Sequence, residues 1–89
     1  MTDVETTVFA KALGTWGAEA KIAMVFEEMS ELQKELCKKL RGAKNINEIA
    51  EEIADVEIML DQMKLLFNIQ PLVSVQRGEK VARLIERLG

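Results

Sequence analysis

The stretches EEMSE, residues 27–31, and EEIAD, residues 51–55, decide the fold of this 89-residue chain. Each contains two carboxylates three residues apart: Glu28 and Glu31 in the first, Glu52 and Asp55 in the second. On an α-helix this spacing brings both side chains to one face, with Cβ atoms about 5–6 Å apart. The two stretches therefore predict two helices that each carry an acidic pair.

The residues around each acidic pair follow a helical period and not the alternation of a strand. The first segment has an acidic line of Met24, Glu28, Glu31 and Glu35 beside an apolar stripe of Ile22, Val25, Phe26, Met29, Leu32, Leu36 and Leu40. The second has a line of Glu48, Glu52, Asp55 and Met59 beside a stripe of Ile49, Ile53, Val56, Leu60, Met63 and Phe67. We expect the stripes to be the packed faces and the acids to border them.

Extending this reading along the chain predicts an all-α fold of four helices in a single domain, residues 1–89. We expect the first helix over residues 3–13, the second over 18–41 and the fourth over 72–88. The third is expected to be capped by Asn45 and to end at Phe67. Glycines at 14 and 17 separate the first two helices. Glu48 is expected to complete a capping box with Asn45 at the start of the third helix. Gly78 is expected to kink the last helix.

The loop between the second and third helices is short, which favours an antiparallel helical hairpin as the core. Its two acidic pairs lie about 12 and about 9 residues from the loop, a difference of about one turn at 1.5 Å rise per residue. We therefore expect the four carboxylates to face one another. Oxygen ligands of this kind suit hard divalent cations such as Mg²⁺.

The amino-acid composition argues against several classes of function. The chain has no histidine, which removes histidine-based triads and most zinc sites. Its net charge of −3 gives no reason to expect nucleic-acid or membrane binding. Cys37 is the only cysteine, so no intrachain disulfide forms, and with no apolar signal region a cytoplasmic location is expected.

The pattern Glu-Glu-x-x-Glu followed by Glu-x-x-Asp resembles the all-α nucleoside triphosphate pyrophosphatase superfamily, especially its small stand-alone MazG-like members. The stretches that carry it are TWGAEAKIAMVFEEMSELQKELCK and INEIAEEIADVEIMLDQM. The resemblance implies helical chains that assemble as homodimers or homotetramers. It also implies Mg²⁺ as cofactor and cleavage of a nucleoside triphosphate to the monophosphate and pyrophosphate.

Carried over to this chain, the resemblance makes Glu28, Glu31, Glu52 and Asp55 the metal ligands. Glu27 is expected to contact a second metal or to orient the attacking water. With no histidine, a carboxylate or a metal-bound hydroxide is the expected base.

Cations are needed to hold the outer phosphates, and we expect Lys38, Lys80 and Arg83 to serve; the last two resemble basic residues near the end of small MazG-like proteins. Trp16 either stacks on the base or packs at the start of the second helix.

Two alternatives remain open from the sequence. Each acidic pair alone is commonly a solvated helix face, and the chain could be a non-catalytic helical dimerisation or nucleotide-binding module. A phosphoribosyl-ATP pyrophosphatase is disfavoured because Val25 and Phe26 stand where that enzyme's basic pair is expected. Stabilisation by Mg²⁺ would separate an enzyme from a simple dimerisation helix.

Overall fold

The computed structural model describes all residues 1–89, and they form four α-helices with no strand. These are α1 (Asp3–Trp16), α2 (Ala18–Leu40), α3 (Ile46–Leu66) and α4 (Gln70–Leu88). The all-helical prediction is confirmed. None of the four helices combines the length and the apolar character that crossing a membrane would require.

Helix α1 is three residues longer than expected. It begins with a capping box in which Glu5 N–H donates to Thr2 Oγ1 (3.1 Å) and Thr2 N–H donates to Glu5 Oε1 (2.7 Å). Gly14 does not break the helix, and Thr15 continues it by donating its hydroxyl to the carbonyl of Lys11. The helix ends at Gly17, whose φ of 84° lies in the region that glycine tolerates best.

Helices α2 and α3 pack against each other more extensively than any other pair. Buried and half-buried side chains on each of the two helices recur at alternating steps of four and three, the spacing of a coiled-coil seam. In α2 they are Lys21, Val25, Glu28, Leu32 and Glu35; in α3 they are Ile49, Glu52, Val56, Met59, Met63 and Leu66. Each is buried or half-buried, so Glu28, Glu35 and Glu52 of the acidic lines lie in the seam itself. The other acids of these lines, Glu31, Glu48 and Asp55, are exposed.

The expectation that the apolar stripes form the packed faces is therefore wrong for most of their residues. Phe26 is 68% exposed and Leu40 is 90% exposed. We call the exposed set the α2–α3 apolar face; it comprises Phe26, Met29, Leu36 and Leu40 of α2 and Ile46, Ile53, Leu60 and Phe67 of α3. The seam runs between the predicted stripe and the acidic line of each helix. It takes Val25, Leu32, Ile49, Val56 and Met63 from the stripes and leaves the outer side of each stripe exposed.

Asn45 precedes α3 as expected, but its side chain does not cap the helix. Its Nδ2 instead donates to the main-chain carbonyl of Glu35 (2.9 Å) and to Glu35 Oε1 (3.3 Å). The expected capping box with Glu48 is therefore absent. Asn45 ties the start of α3 to the end of α2 and fixes the height at which the two helices meet.

Helix α4 starts two residues earlier than expected, with Pro71 in its first turn, and continues through Gly78 without interruption. None of its residues is buried, and it packs only against α3. The radius of gyration is 15.6 Å, whereas a compact domain of this length has about 12 Å. The chain is thus open, with α4 lying away from the α2–α3 seam.

Candidate metal centre

Three of the four expected ligands converge: Glu28 and Glu52 of the α2–α3 seam, and Asp55 at its exposed edge. Glu28, Glu52 and Asp55 each offer a carboxylate oxygen, and these three oxygens all lie within 4.8 Å of one another. Glu28 and Glu52 are half-buried, whereas Asp55 is exposed. Residues on two helices are brought together because the seam aligns Glu28 with the second turn of α3.

Burial and the neighbouring acids raise the pKa values of Glu28 and Glu52 and so oppose ionisation of these two carboxyls. Burial raises the pKa of the Glu28 carboxyl, and the charges of Asp55, Glu27 and Glu31 raise it further. Burial likewise raises the pKa of Glu52, with Asp55 and other acids of the cluster adding to the effect. No basic side chain acts to lower the pKa of Glu28 or of Glu52.

One oxygen of the cluster also lacks a hydrogen-bond partner. Glu52 Oε2 is buried and accepts no hydrogen bond from any protein group. A buried carboxylate oxygen without a donor is costly unless a cation or a proton satisfies it. The donor set, all carboxylate oxygen, is the kind that Mg²⁺ and Ca²⁺ bind. The residues present therefore fit a hard divalent cation.

Glu31 and Glu27 lie at the edge of the cluster. Both are exposed, and neither belongs to the group of three converging oxygens. Their charges nevertheless contribute to the raised pKa of Glu28, so both are electrostatically part of the site. The assignment of Glu31 as a fourth ligand and of Glu27 to the water remains a prediction.

Lys38, expected to bind phosphate, is engaged elsewhere. Its Nζ lies 3.1 Å from Glu35 Oε2 in an ion pair. The hydrogen bonds from Lys38 and Asn45 hold the pKa of Glu35 below its ordinary value. To reach a phosphate, Lys38 would first have to leave Glu35.

Lys80 and Arg83 are not brought to the acidic cluster within the single chain. They project from α4, where a cleft of about 340 Å³ is lined by Lys80, Arg83, Leu84 and Arg87. Lys80 also lines a wider cleft between α3 and α4 with Leu60 and Lys64. Neither cleft includes an acid of the cluster.

Trp16 is the last residue of α1, and its side chain is partly packed near the start of α2 while the residue is 61% exposed. The ammonium of Lys21 lies 4.6 Å from the centroid of its ring, within the range of a cation–π contact. One face of the indole is thereby occupied by Lys21. Much of the remaining ring surface is open to solvent.

Three buried polar residues were missed by sequence reasoning: Lys21, Asn45 and Gln62. The Oδ1 atom of Asn45 and the Oε1 atom of Gln62 have no hydrogen-bond partner. The four-three spacing that runs from Lys21 through Val25 and Glu28 was the available signal for the first of them. It was overlooked because the neighbouring row is more hydrophobic.

Three comparisons of this chain with known proteins found no match. No protein-family model matches the chain, and no curated protein or solved structure matches it significantly.

Proposed function

We propose that the chain is a Mg²⁺-dependent nucleoside triphosphate pyrophosphohydrolase that converts a (deoxy)nucleoside triphosphate to the monophosphate and pyrophosphate. The observation that carries this proposal is the convergence of Glu28, Glu52 and Asp55 to within 4.8 Å. The unpartnered Glu52 Oε2 supports it, because a cation would satisfy that atom. The reaction itself, cleavage to the monophosphate and pyrophosphate, is inferred from the resemblance of the acidic motif to that of the pyrophosphatase superfamily.

In this proposal Glu28, Glu52 and Asp55 hold the cation, with Glu31 as a further ligand. When bound there, Mg²⁺ would supply positive charge to neutralise the phosphates and would lower the pKa of a water molecule. Glu27, exposed beside Glu28, orients the attacking water or contacts a second metal. The water oxygen bonds to the α-phosphorus as the bond from that phosphorus to the α–β bridging oxygen breaks. Pyrophosphate leaves with the bridging oxygen, and the proton lost by the water passes to a nearby carboxylate or to solvent.

Substrate binding is assigned to side chains outside the cluster. Lys38, Lys80 and Arg83 provide positive charge for the phosphates, and the exposed part of the Trp16 ring stacks on the base. The distribution of charge supports a role for α4, since four of the chain's basic residues lie on this helix: Arg77, Lys80, Arg83 and Arg87. Movement of α4 or a second chain would be needed to bring them to the acids.

We further propose that the antiparallel α2–α3 hairpin is the core of a helical-bundle homo-oligomer, a dimer or a tetramer, in the cytoplasm. The small number of buried apolar side chains supports assembly: only Phe9, Val25 and Met59. A chain this short gains core by oligomerising. The single cysteine suits a reducing compartment.

Pyrophosphate release from a panel of nucleoside and deoxynucleoside triphosphates, with Mg²⁺ and with EDTA, tests the activity. We expect metal-dependent release with the monophosphate as co-product. Glu52→Gln removes one ligand charge and should lower kcat by about 100-fold or more, the scale seen when a group that stabilises transition-state charge is removed. Glu51→Gln is the matched control, because Glu51 is the adjacent exposed carboxylate outside the cluster.

A well-folded protein that releases no pyrophosphate and gains no stability from Mg²⁺ would contradict the proposal. The non-catalytic dimerisation module would then be favoured, since the α2–α3 apolar face is suited to association without any chemistry. Full activity in Glu52→Gln would remove Glu52 from the site while leaving the reaction class intact.

A further inference from the structure

The cleft between α3 and α4 has a volume of about 520 Å³, within the range of about 300–1,000 Å³ that small-molecule sites occupy. Val73, near the start of α4, is half-buried, and every other residue of that helix is exposed. Helix α4 therefore packs against α3 only near the joining segment 67–69 and diverges from it beyond. This divergence leaves the cleft open to solvent.

Half of the side chains that line the cleft are apolar, and all of these are aliphatic: Leu60 of α3 and Val73, Val81 and Leu84 of α4. No aromatic ring lines it. Nucleobases are commonly held by stacking on aromatic side chains, so this lining is poorly suited to a base. It suits an aliphatic chain, whose removal from water is favourable roughly in proportion to the area buried.

Three cations join this aliphatic lining: Lys64 of α3, and Arg77 and Lys80 of α4. Gln76 completes the lining, which includes no acid. The Nζ atom of Lys64 already lies 3.3 Å from Asp61 Oδ1 in an ion pair. Arg77 and Lys80 take part in no ion pair. The cleft therefore presents two uncompensated positive charges.

Arg77 stands within the apolar row of α4. At 3.6 residues per turn, Val73, Val81 and Leu84 each lie within about 40° of it around the helix axis. Aliphatic neighbours cannot accept its hydrogen bonds, whereas its planar fork of donors binds a phosphate or carboxylate with two. An anion bound by Arg77 would thus lie directly beside aliphatic side chains.

We infer that this cleft binds an amphiphile that combines one aliphatic chain with a phosphate head. The chain packs on the aliphatic lining, and Arg77 and Lys80 hold the head. A phosphate monoester carries a charge of about −1.5 to −2 at pH 7, which matches two cations better than the single charge of a carboxylate does. The inference does not rest on the proposed hydrolase activity, and Lys80 would serve a nucleotide phosphate only after movement of α4.

Two other occupants fit the cleft less well. A second copy of the chain meeting this face across a two-fold axis would set Arg77 and Lys80 of both copies against each other. A bilayer presents a flat surface, which does not reach a lining shared by two diverging helices. A single amphiphile can enter the cleft and leave the cations paired.

Isothermal titration calorimetry of the full chain with octyl phosphate tests the inference, in EDTA to exclude metal-bridged binding and below the micelle concentration. We expect saturable binding of one molecule per chain. Butyl phosphate should bind more weakly, since each methylene that enters the cleft tightens binding by up to about fourfold. Inorganic phosphate and octyl glucoside, which offer only the head or only the chain, should each bind at least about tenfold more weakly.

Arg77→Gln should weaken the binding of octyl phosphate by at least about tenfold, because a charge-assisted hydrogen bond is lost. Arg87→Gln is the matched control, since Arg87 lies on the same helix and does not line the cleft. Val81→Asp should weaken binding similarly by setting a carboxylate against the phosphate, whereas Val75→Asp should not. Val75 and Val81 are comparably exposed, at 56% and 47%, and only Val81 lines the cleft.

Helical circular dichroism checks that each variant is folded, and Val81→Asp serves as the test should Arg77→Gln fail to fold. No binding of octyl phosphate by the folded wild type would overturn the inference, whether the cleft is empty or filled by a second copy. So would unchanged binding in a folded Arg77→Gln or Val81→Asp variant. Equal affinity for butyl and octyl phosphate would also overturn it, since the site would then bind the anion alone.

Vesicles of equal parts phosphatidylglycerol and phosphatidylcholine distinguish a membrane surface from a single amphiphile. Binding to these vesicles without binding of monomeric octyl phosphate would overturn the inference by assigning α4 to a bilayer. None of these measurements depends on pyrophosphate release. A protein that binds octyl phosphate and hydrolyses no nucleotide would leave the inference standing and refute only the proposed activity.

Discussion

At the scale of single residues, Glu28 and Glu52 are kept from ionising readily by burial and by the surrounding acids. Both carboxyls have a pKa above the ordinary value of 4.5 in the folded chain. The folded protein therefore binds protons at these sites before the unfolded chain does as the pH falls. The stabilisation from this protonation is complete below 4.5 and is lost as the pH rises through the raised values.

We therefore expect the metal-free protein to become more stable as the pH falls from neutral towards 4.5. Glu5 and Glu35, whose pKa values are lowered, oppose this trend only below 4.5. Urea midpoints measured in EDTA at several pH values check the prediction. The double variant Glu28→Gln, Glu52→Gln should flatten the profile, whereas Glu51→Gln should preserve it; a wild-type profile that falls over this range would refute the assignment.

Asn45 offers a second test at this scale, because its amide donates to two oxygens of Glu35. Asn45→Asp replaces the donor with an oxygen and sets two carboxylates against each other. We expect a loss of about 2–3 kcal/mol in the free energy of unfolding, the cost of a broken buried hydrogen bond with a charge left unpaired.

Asn47→Asp is the control for that substitution. Asn47 is exposed in the first turn of α3, where a negative charge favours the helix by about 0.3–1 kcal/mol. The two variants should therefore shift the chemical denaturation midpoint in opposite directions at neutral pH. Equal effects would show that Asn45 is not held as its contacts indicate.

At the scale of helices, the sequence predicted the number, order and approximate ends of all four elements. It missed the end of α1, because Gly14 was read as a break although a lone glycine costs a helix only about 1 kcal/mol. It also misjudged the turn at Asn45, where a long-range bond to Glu35 outweighs the local capping box. Both errors arise where tertiary contacts or neighbouring residues overrule a local signal.

Gly17 and Gly78 give opposite predictions for substitution by alanine. Gly17 links α1 to α2 with φ of 84° and ψ of 165°, a backbone region almost confined to glycine that costs another residue about 1–3 kcal/mol. Gly78 lies inside α4, where alanine should gain up to about 1 kcal/mol of helix propensity. No heavy atom lies within 4 Å of the added Cβ at either site.

Thermal unfolding should therefore show a lower Tm for Gly17→Ala, while Gly78→Ala should raise the helical signal or leave it unchanged. The open surroundings exclude a steric explanation for the difference. An unaltered Tm in Gly17→Ala would mean that the α1–α2 junction does not require the left-handed conformation.

At the scale of the whole molecule, three of the four carboxylates that the sequence predicted to face one another do converge, and the fourth, Glu31, lies outside that group. The sequence did not predict which apolar side chains would be exposed. A hydrophobic period indicates that one face of a helix is buried against other side chains. It does not indicate whether those side chains belong to the same chain or to another one. The row containing Phe26 and Leu36 is more apolar than the row containing Glu28 and Glu35. The latter nevertheless packs within the chain, because its carboxylates are supported by Asn45 and Lys38 at one end.

The proposed metal site predicts that the stability of the whole chain depends on a cation. The ionised acids of the cluster repel one another across the seam that holds α2 and α3 together, and bound Mg²⁺ would replace that repulsion with attraction. A ligand that binds only the folded state at 100 times its Kd stabilises it by about 2.7 kcal/mol. For a domain of this size that corresponds to a rise in Tm of roughly 10–20 °C.

We expect millimolar Mg²⁺ to raise the Tm of the wild type well beyond the rise given by NaCl at equal ionic strength, which only screens the repulsion. Glu52→Gln should melt at a higher temperature than the wild type in EDTA, because one repelling charge is gone, and should lose most of the Mg²⁺ effect. Glu51→Gln should behave as the wild type in both conditions. Identical shifts with Mg²⁺ and with matched NaCl would mean that the three carboxylates form an acidic patch and not a binding site.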